Sequence, residues 1–82
     1  MQTVLPPGEI VSIEIKTEIA GVVFEILVEQ GARVSAGETI LVIESMKMEI
    51  PVDSTGEGVL AELCVSAGDV IAVGQVLARI KE

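Results

Sequence analysis

The sequence contains no histidine, no tryptophan and no tyrosine, and it has a single phenylalanine, Phe24, and a single cysteine, Cys64. Each absence closes off a class of chemistry. Without histidine there is no Ser-His-Asp or Cys-His nucleophilic site. A zinc site with imidazole ligands is likewise impossible, and one cysteine cannot supply an all-thiolate one. Nor can one cysteine form an internal disulfide; within VLAELCV, Cys64 reads as a buried structural thiol. No glycine-rich phosphate loop of the G-x-x-x-x-G-K-[ST] or G-x-G-x-x-G type occurs. Positive charge is scarce: Lys+Arg 5 against Asp+Glu 13 leaves a net charge of -8. That argues against a nucleic acid or an anionic membrane surface as partner. No apolar run reaches the ~18 residues of a membrane span. The first basic residue is Lys16, so no basic signal-peptide segment precedes it, and a cytoplasmic location is the expectation. The acids are spread along the chain as on a solvated surface. An independent catalytic role is therefore not expected.

What is present is a small, apolar, glycine-punctuated chain. Its 82 residues suffice for one domain, and half of them are apolar, mostly Val, Ile, Leu and Ala. The chain also repeats. GVVFEILVEQGARVSAGETILVIE, starting at Gly21, aligns without a gap on GVLAELCVSAGDVIAVGQVLARIK, starting at Gly58, an offset of 37. Gly21, Val22, Glu25, Val28, Gly31, Gly37 and Ile43 fall on identical residues in the second copy. Backwards, Val11, Ile13 and Ile15 fall on Met48, Ile50 and Val52.

Both copies read as strands. Val11, Ile13 and Ile15 alternate with Ser12, Glu14 and Lys16, the period of a half-buried strand. GVVFEILV and GVLAELCV are β-rich runs opened by glycine. GARVSAGE and GDVIAVGQ share the form G-x-x-[VI]-x-x-G-[EQ], two turn glycines around a very short strand. ETILVIE, QVLARI and the stretch from Met48 to Val52 complete about four strands per copy. A repeat this short cannot bury its own apolar face, so the two copies must pack on each other. The expected fold is all-β, a small sandwich or flattened barrel with a pseudo-two-fold axis. Residues 1–9, including Pro6-Pro7-Gly8, read as an extended lead-in and residues 10–82 as the domain. DSTGEG, from Asp53 to Gly58, reads as a polar turn equivalent to KTEIAG, from Lys16 to Gly21.

The seam between the copies falls at Met46-Lys47, inside ESMKME. Strand-like runs flank it closely, so it reads as the tip of a tight hairpin at the pole opposite the chain termini. The Asn-Gly or Asp-Gly signal usual in such a turn is missing. A lone lysine is most often a solvated turn residue, and a methionine is often a gap-filler of the core. Two methionines around a lysine at a tip fit neither habit. An exposed lysine on a rigid hairpin is also a handle for acylation, which removes its charge and lengthens its arm.

ESMKME closely resembles the (A/S)-M-K-M attachment sequence of biotin carboxyl carrier domains, and the resemblance extends from about Val11 to Ile80. It implies a flattened β-barrel of two four-stranded antiparallel sheets, a barrel-sandwich hybrid. It implies biotin joined by an amide bond to Lys47, with Met46 and Met48 as flanking recognition residues. The partners implied are a biotin protein ligase, a biotin carboxylase and a carboxyltransferase. The carrier would be a non-catalytic swinging arm of a biotin-dependent carboxylase, with acetyl-CoA or another acyl-CoA as the expected acceptor and fatty acid biosynthesis as a setting. A lipoyl carrier of a 2-oxo acid dehydrogenase-type complex is the alternative on the same fold. Ser45 stands where alanine is commoner, and Ile19-Ala20-Gly21 where many members have Met-Pro-Gly. The gapless repeat leaves no room for the "thumb" insertion of some acetyl-CoA carboxylase carriers.

Overall fold

Short runs of β-branched residues broken by glycine turns give eight strands in the computed structural model, which describes residues 12–82. They are β1 (Ser12–Lys16), β2 (Gly21–Ile26), β3 (Arg33–Val34), β4 (Thr39–Ser45), β5 (Met48–Asp53), β6 (Gly58–Leu63), β7 (Val70–Ile71) and β8 (Val76–Lys81). The lead-in expected over residues 1–9, together with Ile10 and Val11, lies outside the described residues. Each strand of the first copy has its counterpart in the second, and nothing is inserted between equivalent strands. Gly31 and Gly37 flank β3, and Gly68 and Gly74 flank β7. All four have positive φ, between 85° and 94°, as turns on either side of a two-residue strand require.

The copies are interleaved. One antiparallel sheet has the order β1-β8-β6-β3 and the other β5-β4-β2-β7. Thus β3 leaves its own copy to pair with β6, and β7 leaves its copy to pair with β2. The two-fold relation carries one sheet onto the other. The loop hydrogen bonds repeat under it: Gly31 N–H donates to the Leu60 carbonyl and Gly68 N–H to the Val23 carbonyl, both at 2.7 Å.

Between the sheets lies an aliphatic core filled by equivalent residues. Val23 matches Leu60, Val34 matches Ile71, Ile40 matches Leu77 and Ile43 matches Ile80, and all are buried. Burial of each larger side chain contributes about 1.5–3 kcal/mol. Two polar residues share this interior, Thr17 and Ser54, again equivalent to each other. Each hydroxyl turns back on its own loop. Thr17 Oγ1 donates to the Ile19 carbonyl at 2.6 Å, and Ser54 Oγ donates to the Gly56 carbonyl at 2.5 Å. The stretch expected to be a polar turn is therefore a turn closed by a buried hydroxyl.

Every strand pairing except the two short ones contains a bulge. In β2 the shift falls between Val23 and Glu25, and in β6 between Leu60 and Glu62, so Phe24 and Ala61 are the extra residues. The bulge corrects the expectation for Cys64. Strict alternation from Leu60 would turn Cys64 inward. The extra residue Ala61 flips the faces after it. Val65 is buried and Cys64 is exposed, with Sγ 3.6 Å from Arg79 Nη1. Its counterpart Leu27 is exposed as well.

Candidate functional site at the β4–β5 hairpin

The tip of the β4–β5 hairpin is built by two residues. Ser45 pairs with Met48, leaving Met46 and Lys47 as the central positions of the turn. Their φ angles are 52° and 63°, the only positive values on non-glycine residues among those described. Positive φ at both central positions is a type I′ turn, whose twist matches the flanking strands and which normally takes Asn-Gly. Methionine and lysine in this region cost roughly 1–2 kcal/mol each. The tight hairpin expected from the sequence is present, and its residues are held against their backbone preference.

Around that turn, polar and apolar groups are placed contrary to their usual habits. Met46 is 92% exposed and Met48 62% exposed, so neither plugs the core. Lys47 is exposed, and among the described residues its amine forms no ion pair. The next cross-strand pair below the tip is Glu44 opposite Glu49, two exposed carboxylates side by side. Like charges at this distance repel. The residues ESMKME are thus brought together as one convex, solvated knob: an amine between two thioethers above two carboxylates.

The base of the hairpin is firm. Val42 pairs with Pro51 and Ile43 with Ile50, and Thr39 Oγ1 donates to Asp53 at 2.7 Å. Pro51 lacks an N–H, which β5 tolerates as an edge strand. The tip lies far from the start of β1. A side-chain atom placed on Gly56, just past β5, would strike Ile13 Cδ1 in β1. Hence β5 begins at the tip and ends beside the start of β1, about 20 Å away at 3.3 Å per residue.

No group of three Asp, Glu or Cys residues among those described could hold a metal ion. Among the described residues no helix is long and apolar enough to cross a membrane. A groove of about 280 Å³ runs between the edge strands β1 and β5, lined by Lys16, Ile19 and Pro51 among others, and Lys47 does not line it. The hydrogen bond from Arg79 to Glu62, then the charge of Glu62, holds the Arg79 guanidinium above its ordinary range. What the hairpin offers chemically is one accessible primary amine on a fixed support, able to be acylated by an external enzyme.

The Biotin_lipoyl family model, described as "Biotin-requiring enzyme", matches residues 8–80. The chain belongs to the biotin/lipoyl attachment family. A relative of similar size, the "Biotinylated protein TB7.3 homolog" of Mycobacterium leprae, is 39% identical over 67 residues, covering 82% of this chain and 94% of the relative. The mitochondrial methylcrotonoyl-CoA carboxylase subunit alpha of Arabidopsis thaliana is 43% identical over 76 residues, 93% of this chain but only 10% of the relative. Among solved structures, the Kluyveromyces lactis urea carboxylase superposes with a TM-score of 0.80 at 25% identity, over 98% of this chain and 7% of that one. The all-β fold of two four-stranded antiparallel sheets is thus that of biotinyl domains in carboxylases.

Proposed function

We propose that this chain is a biotin carboxyl carrier, with biotin joined through an amide bond to Lys47. The observation that carries the reading is the hairpin tip: a free, exposed lysine at positive φ between two exposed methionines, in a turn that local preference would fill with Asn-Gly. Membership of the family and a relative of nearly the same length named as biotinylated support it. When attached, biotin supplies a group that takes up and releases a carboxyl group.

The chain's own residues do three things in this scheme. The type I′ turn presents the amine clear of the sheets, where a biotin protein ligase can reach it. Met46 and Met48 offer that enzyme apolar contacts without blocking Nζ. The rigid hairpin then lets the lengthened arm swing between a biotin carboxylase and a carboxyltransferase while the rest of the domain stays folded. Because the domain has no histidine, the ligase must bring both the activated acyl group and the base. A carboxylase with an acyl-CoA acceptor is the setting proposed, supported by the similarity to a methylcrotonoyl-CoA carboxylase subunit alpha; a cytoplasmic location is proposed from the sequence alone.

Intact-mass measurement after co-expression with a biotin ligase tests this reading. The expected result is a gain of one biotinyl group on the native sequence and none on Lys47→Arg, which keeps the charge but removes the nucleophile. A gain with lipoate and none with biotin would replace this reading with the lipoyl carrier.

A further inference from the structure

The repeat places a built-in control in the molecule, because the outer faces of the two sheets share one backbone plan. On the β1 sheet, Arg33, Val59, Lys81 and Ser12 form one cross-strand row, and Glu62, Arg79 and Glu14 form the next. This face is polar and cross-linked: Arg79 bridges Glu14 and Glu62, and Glu14 also reaches Lys16. The equivalent rows of the β5 sheet read Val70, Val22, Glu44, Glu49 and then Glu25, Val42, Pro51. The bulge residue Phe24, matching Ala61, stands beside Glu25 on the same face and is 48% exposed, while Val70 is 80% exposed. The fold therefore does not require a broadly apolar outer face, since its twin shows only Val59 and the small Ala61 among charged residues.

Charge divides the same way. Lys16, Arg33, Arg79 and Lys81 all lie on strands of the β1 sheet. The strands of the β5 sheet carry Glu25, Glu44, Glu49 and Asp53 and no cation. An apolar centre framed by carboxylates thus runs from Val70 across to the strands that carry Lys47.

We propose that this outer face of the β5 sheet docks on the biotin carboxylase, the component that loads the carboxyl group; this rests on the carrier reading above. An enzyme that gathers a nucleotide triphosphate and bicarbonate carries a cation-rich active-site mouth. The face that approaches such a mouth with the arm leading is the one with acids, an apolar centre and no cation. A contact used at every turnover must also form and break quickly, which suits a small patch steered by charge. A second copy of this chain fits poorly. Two β5 sheets would face acid to acid, and Arg79 on the β1 sheet is already engaged with Glu14 and Glu62.

The test uses the full chain, biotinylated, as the varied substrate of its cognate biotin carboxylase in initial-rate assays. Val70→Lys and Glu25→Lys are expected to raise KM for the carrier by about tenfold with kcat little changed. Added salt should raise the wild-type KM and shrink that difference. Arg33→Glu, on the twin face, is expected to leave KM within about twofold. Both test positions are exposed, so an unchanged melting temperature verifies the fold, and Phe24→Ser serves as a third probe of the patch. A KM unmoved by all three patch variants overturns the proposal. So does a loss confined to the rate of biotin ligation, which would assign the face to the ligase, or a wild-type dimer dissolved by Val70→Lys. A wild type that gains no biotin removes the carrier reading and the docking face together, whereas a loaded carrier indifferent to the variants removes only the docking face.

Discussion

Met46 and Lys47 occupy backbone conformations that their side chains disfavour, and nothing in the local packing requires those side chains. Replacing them by the preferred pair, Met46→Asn with Lys47→Gly, should therefore stabilise the domain by about 1 kcal/mol. For a domain of this size that is a rise in melting temperature of about 5 °C, measurable by circular dichroism, together with complete loss of biotin attachment. An unchanged or lower melting temperature would show that the turn stores no strain. This residue-level conflict was legible in ESMKME, because a tight hairpin without turn chemistry shows in the sequence alone. The exposure of both methionines was not, since alternation allows one of them to face inward. Cys64 was misread for a related reason. Its face depends on the bulge at Ala61, and the available clue was Glu62, an acid at a position that unbroken alternation would bury.

At the scale of elements, the glycine-bounded strands and their equivalence between copies followed from periodicity and the offset of 37. The loops after β1 and β5 hold what periodicity does not reveal. Ser54 and Thr17 are short hydroxyl residues that bond to the backbone two positions on, and their burial arises only when the loop folds over the core. Ser54→Ala is expected to cost about 1–2 kcal/mol, because it strips the Gly56 carbonyl of a donor in a part-buried site. Denaturant unfolding checks this, with a lowered midpoint and an unchanged slope as the expected signature. A neutral result would mean that water replaces the hydroxyl at no cost. Thr17→Ala should behave alike, since the two loops are equivalent.

The molecule as a whole shows where reading by periodicity stops. Alternation says which face of a strand is buried, and it is silent about which strand lies alongside. The copies pack on each other as expected, and beyond that each lends a short strand and an edge strand to the sheet centred on the other. Neither copy can complete a sheet alone. Residues 1–46 and 47–82, made as separate peptides, should each lack β-sheet signal by circular dichroism and regain it when mixed. A folded isolated half would contradict the interleaved pairing. Folding should also be slow for so small a chain, in the millisecond-to-second range typical of non-local β topologies.

The pairing of Ser12 with Lys81 has a consequence for how such a unit is carried. Under the two-fold, that pair corresponds to Glu49 opposite Glu44, the rung just below the hairpin tip. At the tip β4 runs on through Met46 and Lys47 into β5, whereas at the opposite pole the start of β1 and the end of β8 lie abreast like the open jaws of a clip. A host chain could enter at one jaw and leave at the other without disturbing a single strand. The domain is topologically a pendant, able to hang from a loop of a larger protein with Lys47 at the far end.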